Sequence, residues 1–155
     1  MPLKEALSRE TCYVGVSGES SEEVLRTLSE RLFQLGLVTE EYESNVILRE
    51  QKYPTGLPLE GRKVAIPHTD AVYVKETRIC VAVLKHPVEF QVMGSGSGEK
   101  VAVELVIMLA IKEQKAQLGV LKELINLVVQ NGAMIEQLIG AGAGDEVYDI
   151  LMSYL

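Results

Sequence analysis

His68 has a residue type and a setting that suit chemistry. It is one of only two histidines, the other being His86, and it follows the short apolar run Val64 to Ile66 and Pro67. Proline fixes its own backbone torsion and cannot extend a hydrogen-bonded strand, so the imidazole is expected to project at the end of a strand. The same pattern fits a surface histidine or a satisfied turn histidine without chemistry, and the spacing alone does not separate these interpretations.

Phosphoryl transfer is the chemistry that a single accessible histidine can perform. A neutral imidazole has an ordinary pKa of about 6.5, is nucleophilic at neutral pH and can carry a phosphoryl group as a labile phosphoramidate. Such a site also needs a fixed cation and hydrogen-bond donors, because phosphoryl transfer depends on positioning and charge stabilisation. Arg49, Thr55 and Thr69 are candidates for these roles. Arg49 fits equally well as a surface residue paired with Glu50 or with another nearby carboxylate.

Metal, disulfide and nucleotide sites are disfavoured by residue counts and spacing. Two histidines are too few for a multi-histidine zinc site, and no cofactor is expected. Cys12 and Cys80 lack a CxxC spacing and are interpreted as reduced structural thiols. The segment Gly94 to Gly98 reads GxGxG, but Glu99 replaces the third glycine of a dinucleotide fingerprint and a predicted strand follows it.

Length and charge favour one domain in the cytosol. The 155 residues fit a single domain over residues 1–155, and 22 acidic against 15 basic residues give a net charge of −7. This sign disfavours nucleic acid as a partner. The longest apolar stretch, Val101 to Ile111, is interrupted by Glu104 and is shorter than the ~20 residues that cross a bilayer. The first ten residues lack the apolar block of a secretory signal, so a cytoplasmic protein without membrane insertion is expected.

Two helices are predicted in the N-terminal third. Ser20 and Glu23 form a Ser-x-x-Glu capping box, and leucines recur at helical spacing until Gly36. Thr39 is the predicted N-cap of a second helix that runs through about Gln51. The short separation predicts a helical hairpin.

A sheet is predicted in the middle of the chain and three helices at its end. The run Val101 to Leu109 also fits a buried helix by periodicity, but a strand is favoured. Further strands are expected at Val64 to Ile66, Arg78 to Leu84 and Val88 to Val92, a mobile loop at Gly94 to Gly98, and helices at Val120 to Val128, Ala133 to Ile139 and from about Asp145. The order predicts an α/β sandwich, in which helices cover both faces of one mixed sheet.

Two segments carry a resemblance to a known family. The stretch Arg49 to Leu57 (REQKYPTGL), followed by Val64 to Thr69 (VAIPHT), resembles the enzyme IIA domain of the fructose and mannitol type in the bacterial phosphotransferase system. The resemblance extends over most of the chain. It implies that His68 accepts a phosphoryl group from the phosphocarrier HPr and passes it to a sugar-specific enzyme IIB, which works with a membrane enzyme IIC.

One position departs from the commoner family pattern. Many members have a second active-site histidine at the start of a His-Leu-x-x-Leu helix, where this chain has Gln117 and Leu118. Gln117 can donate a hydrogen bond to phosphate but cannot become cationic. The galactitol branch is similar here, so the resemblance implies a carrier for galactitol or a related polyol. His86 matches no catalytic position of the family, and Pro87 after it predicts a turn, so we expect a structural role for His86.

Two other functions stay open at this stage. Related domains serve as regulatory modules of the nitrogen-linked phosphotransferase kind, where the phosphohistidine is a signal for protein binding. The chain shows no DNA-binding segment, which disfavours a transcription factor. A binding domain in which His68 has no chemistry is the third interpretation.

Overall fold

The computed structural model describes residues 3–96 and 98–155, and these form an α/β sandwich around one mixed sheet. The strand order is β1-β4-β5-β3-β2; the pairs β1/β4 and β3/β5 are parallel, whereas β4/β5 and β2/β3 are antiparallel. In chain order the elements are α1 (Leu3–Ala6), β1 (Leu7–Val16), α2 (Ser21–Gln34), α3 (Tyr42–Lys52), β2 (Gly56–Leu57), β3 (Lys63–Ala65), a 3-10 turn (Ala71–Tyr73), β4 (Arg78–Gln91), β5 (Lys100–Ala110), α4 (Gln114–Gln130), α5 (Gly132–Ile139) and α6 (Gly144–Tyr154).

Each face of the sheet has its own helical layer, which confirms the predicted fold class. Successive side chains of a strand point to opposite faces, and in β5 Leu105 and Ile107 join one apolar cluster while Val106 and Met108 join the other. The first cluster contains residues of α1, α4, α5 and α6, and the second contains residues of α2 and α3. Because both faces are covered, the second half of β5, from Leu105 to Ala110, is an unbroken apolar run.

The N-terminal strand β1 was not predicted. It lies at an edge of the sheet, parallel to β4, and is only partly buried. Its exposed Arg9 contacts Asp145 and Asp149 of α6 at 3.2 and 2.8 Å. An edge strand tolerates polar and charged side chains, which hide the alternation by which a strand is recognised.

The predicted start of the second helix was wrong. α3 begins at Tyr42, after Glu41, and Thr39 does not cap it. The Thr39 amide instead donates to the Tyr73 carbonyl at 2.9 Å, and Val38 forms a bridge with Val74. The segment before α3 is therefore held against the 3-10 turn. Ser20 does cap α2, because its side chain accepts from the Glu23 amide.

The turn predicted at His86 and Pro87 was also wrong. Both residues lie inside β4, which joins the two predicted strands Arg78 to Leu84 and Val88 to Val92 into one element. The pairing with β5 shifts between Val83 and Val88, and such an irregularity tolerates a proline that cannot donate to the ladder.

The predicted loop at Gly94 to Gly98 does connect two strands, β4 and β5, and Ser97 lies outside the described residues. Over the described ranges no single helix is long and apolar enough to cross a membrane; the pair Gln114–Gln130 and Gly132–Ile139, bent by 89°, meets that test only when both are taken together.

Tyr42 anchors α3 to the central strand β5. Its side chain is fully buried, and its hydroxyl donates to the Leu109 carbonyl at 2.7 Å. We predict that Tyr42→Phe lowers the free energy of unfolding by about 1–2 kcal/mol, because a buried carbonyl loses a partner while the ring is kept. Urea unfolding measures this. Tyr53→Phe is the control, since Tyr53 is 54% exposed, and should change stability by less than about 0.5 kcal/mol. Equal midpoints for the two variants would contradict the prediction.

Candidate functional site

His68 lies where β3 ends beside β5. The backbone pairs with Leu109 in a parallel bridge, and the Pro67 carbonyl accepts from the Leu109 amide at 2.9 Å. The proline therefore does not interrupt pairing with β5, although it donates nothing itself. The expected position of the imidazole, at the end of a strand, is observed.

One hydrogen bond fixes the state of the His68 ring. Nδ1 lies 3.0 Å from the Ile66 carbonyl oxygen. A carbonyl only accepts, so this contact assigns the proton to Nδ1 and leaves the lone pair on Nε2. The pKa of His68 lies below its ordinary value of 6.5, chiefly because burial disfavours the charged ring. The Ile66 carbonyl opposes this lowering; Arg49 adds to it and Asp70 opposes it. The ring is thus held neutral with a nucleophilic Nε2 at neutral pH.

Arg49 supplies a cation with spare hydrogen-bonding capacity. It lies in the last turn of α3, its side chain is 36% exposed, and its Nη1 is 3.5 Å from Asp70 Oδ1. Its Nε is buried and has no hydrogen-bond partner among the described residues. A buried donor without an acceptor costs free energy, which a bound anion would offset. Glu50 binds Thr55, and the carboxylate that pairs with Arg49 is Asp70. The role of Arg49 in holding phosphoryl oxygens stays a prediction, with the unpartnered Nε in its favour.

Thr55 reaches the site but its donors are already used. Its amide donates to Glu50 Oε2 at 2.9 Å, and its hydroxyl donates to Glu50 Oε1 at 2.8 Å. The hydroxyl oxygen accepts from the Ile66 amide at 3.2 Å. Gly56 follows at a position where a Cβ would lie 2.6 Å from the Gln91 carbonyl oxygen, so only glycine fits there. The Thr-Gly pair thus fastens this loop between α3 and β4.

Thr69, directly after His68, meets Gln117 of α4. Both are buried, and the Gln117 amide Nε2 donates to the Thr69 carbonyl at 2.6 Å. Gln114, in the first turn of α4, accepts from the Ala71 amide at 3.3 Å. The start of α4 therefore holds the segment that follows His68. Direct phosphate binding by Thr55, Thr69 and Gln117 stays a prediction.

Three charged or aromatic residues of the site were not predicted. Lys52 and Tyr53 line the same surface depression as His68, together with Met93 to Gly96. Tyr53 lies under the cations, with its ring centroid 5.3 Å from Arg49 Cζ and 5.5 Å from Lys52 Nζ. Glu50 is the third. Lys52 was recognisable, because it follows Arg49 by three residues and shares its side of a helix.

The remaining candidates lie elsewhere. His86 does not line the His68 depression. Cys12 and Cys80 are free and buried, and burial raises the pKa of Cys12 to about 12, so its thiol is unreactive. Across residues 3–96 and 98–155, no group of three or more histidine, cysteine or acidic side chains could hold a metal ion.

The chain is similar to sugar phosphotransferase components over nearly its whole length. The family described as "Phosphoenolpyruvate-dependent sugar phosphotransferase system, EIIA 2" matches residues 5–154. The PTS system galactitol-specific EIIA component of Escherichia coli K12 is 32% identical over 125 residues, which cover 81% of each protein.

Solved structures share the fold. IIA mannitol from Escherichia coli gives a TM-score of 0.74 at 25% identity and covers 93% of this chain and 97% of that one. The complex of enzyme IIA mannitol with phosphorylated enzyme IIB mannitol, also from Escherichia coli, matches with a TM-score of 0.76 at 24% identity, over 94% and 96% of the two chains. The match over residues 5–154 and the 32% identity to a galactitol component show that the chain belongs to the type-2 EIIA family of the phosphoenolpyruvate-dependent sugar phosphotransferase system and is a phosphotransferase component of it.

Proposed function

We propose that His68 accepts a phosphoryl group on Nε2 from phosphorylated HPr and passes it to a sugar-specific enzyme IIB during uptake of a sugar or polyol. The observation that carries the proposal is the bond from Nδ1 to the Ile66 carbonyl at 3.0 Å, which leaves Nε2 as the nucleophile. The whole chain, residues 1–155, acts as one cytoplasmic domain that needs no metal or other cofactor. It works with enzyme IIC through enzyme IIB, and neither nucleic acid nor the membrane is a direct partner.

The transfer requires only the groups of this site. The Nε2 lone pair forms a nitrogen–phosphorus bond as the bond from phosphorus to the donor histidine breaks, and the donor imidazole keeps that electron pair. Nδ1 keeps its proton throughout, and the Ile66 carbonyl stabilises the positive charge that develops on the ring. Arg49 faces the phosphoryl oxygens with a fork of donors, and its unpartnered Nε gains an acceptor. The reverse sequence of events delivers the group to enzyme IIB.

The substrate class follows from the relative, not from the site. The galactitol-specific component shares 32% identity with this chain, so we propose a galactitol-like polyol. Gln117 is consistent with this proposal, because the galactitol branch is similar to this chain at that position. Thr69 and Gln117 hold the shape of the site on the α4 side, and Thr55 does so on the α3 side.

The phosphorylated residue can be mapped directly. Incubation with phosphoenolpyruvate, enzyme I and HPr should add one acid-labile, base-stable phosphate at His68, and His68→Ala should take none. His86→Ala is the control and should be phosphorylated like the wild type, because His86 lies outside the depression. Phosphate on His86, or on His68→Ala, would refute the assignment. Onward transfer to enzyme IIB separates a transport component from a purely regulatory module.

Arg49 should matter through its shape as well as its charge. We predict that Arg49→Lys slows phosphoryl acceptance by on the order of tenfold, because lysine keeps the charge but cannot grip two oxygens as a planar fork. Rapid-quench measurements with phosphorylated HPr give the rate. Arg26→Lys is the control, since Arg26 forms an exposed pair with Glu22 in α2. A wild-type rate for Arg49→Lys would return Arg49 to an ordinary surface role.

Gln117 should act through the Thr69 carbonyl that it binds. Gln117→Ala releases the segment that follows His68. We expect the bond to hold this segment in place in the transition state, so that its loss, worth about 1 kcal/mol there, slows transfer roughly fivefold. Gln117→His should stay active, because an imidazole can donate from the same position. Circular dichroism checks that both variants fold. If folded Gln117→Ala transfers phosphate at the wild-type rate, Gln117 is a bystander.

A further inference from the structure

Glu50 is a buried carboxyl that the transfer chemistry does not use. It is only 7% exposed, and both of its oxygens accept from Thr55, at 2.9 Å from the amide and 2.8 Å from the hydroxyl. Burial raises its pKa to about 7, and the two bonds from Thr55 oppose that rise without cancelling it. A carboxyl in this position costs stability and holds one neighbour, Thr55, by both of its donors.

Glu50 determines which partner the Thr55 hydroxyl donates to and which it accepts from. A hydroxyl has one hydrogen and two lone pairs, and its hydrogen rotates to suit its partners. Since the hydrogen is donated to Glu50, the oxygen is left to accept, and it does so from the Ile66 amide at 3.2 Å. The Thr55 carbonyl accepts from the same amide at 3.4 Å. Ile66 is thus tied to the loop after α3 through its N–H.

Pro67 is tied on the other side. Its carbonyl accepts from the Leu109 amide of β5 at 2.9 Å. The Ile66 carbonyl lies between these two attachments and accepts from His68 Nδ1 at 3.0 Å. Its direction, and with it the position of the proton on the ring, therefore depends on both attachments.

We propose that Glu50 and Thr55 are positioning residues, which together aim the Ile66 carbonyl at Nδ1 and so keep the His68 lone pair on Nε2. The proposal rests on the proposed function of His68 as the phosphoryl acceptor. Without the clamp the ring is free to carry its proton on Nε2, and in that tautomer the nucleophilic nitrogen points into the protein. Neither residue touches the phosphoryl group in this role.

Thr55→Val tests the clamp, and Thr11→Val is its matched control. Valine keeps the size of threonine but removes the hydroxyl. Thr11 is also buried, and its hydroxyl donates to the Ile79 carbonyl at 2.9 Å. Thr11 lies in β1, away from β3, so the loss of its hydroxyl destabilises the fold without touching Ile66.

Glu50→Gln is a second, milder variant, because an amide has one acceptor oxygen for the two donors of Thr55. Thr55→Ser keeps the hydroxyl and should have the same ring tautomer and transfer rate as the wild type.

The first readout is the tautomer of unphosphorylated His68, from nitrogen-15 shifts of the ring. Wild type, Thr55→Ser and Thr11→Val should show the proton on Nδ1. In Thr55→Val and Glu50→Gln the two ring shifts should move towards each other as the other tautomer becomes populated. This measurement does not depend on phosphoryl transfer, so it tests the clamp even if His68 proves not to be the acceptor.

The second readout is the rate of acceptance from phosphorylated HPr at saturating donor. Thr55→Val should be slower by about tenfold, which corresponds to about 1.4 kcal/mol, and Thr11→Val should match the wild type. A common effect of both valine variants would mean that the loss follows stability alone and would overturn the proposal. Unchanged ring shifts in Thr55→Val and Glu50→Gln would overturn it as well. Phosphate on His68→Ala would instead refute the proposed function.

Discussion

The hydrogen bond from His68 Nδ1 to the Ile66 carbonyl is the interaction on which the site depends, because it assigns the proton and the lone pair of the ring. Its acceptor is a main-chain atom, whose position is set by the attachments of the backbone on either side of it. Pro67 fixes the backbone between the two residues and still accepts from Leu109 of β5. The His68 ring is held by the end of β3 and by the central strand β5. It therefore needs little reorganisation when the phosphoryl donor arrives.

Charge in the site is divided between two adjacent residues of α3. Arg49 is partly exposed and faces Asp70 at 3.5 Å, whereas Glu50 is turned inward towards Thr55. Consecutive residues of a helix do not face each other, so one turn of helix serves both the phosphoryl group and the loop that supports it. Before the phosphoryl group arrives, Arg49 forms only a weak ion pair with Asp70. A long, half-exposed pair contributes little to stability, and a dianionic phosphoryl group competes with it for the same guanidinium.

The sequence revealed the parts of the fold and site that leave local signals. Proline before His68 predicted a residue at a strand end, and the covered β5 read as an apolar run. The edge strand β1 left no such signal, because exposed polar residues interrupt its pattern. Glu50 was recognised only as a neighbour of Arg49. Its burial and its two bonds to Thr55 depend on how the loop after α3 returns to the helix, which residue spacing does not record.

Gln117 is neutral and contributes no positive charge to the site. Its Nε2 is engaged with the Thr69 carbonyl, so α4 contributes an amide and shape there. The cations come from α3, where Arg49 and Lys52 lie in the last turn against the face of Tyr53. The carbonyl end of a helix carries partial negative charge, which stabilises cations at that end even before a phosphoryl group binds. The unphosphorylated site therefore tolerates its cations without a bound anion. It also follows that Gln117 cannot replace the charge of Arg49, since an amide does not take up a proton at neutral pH.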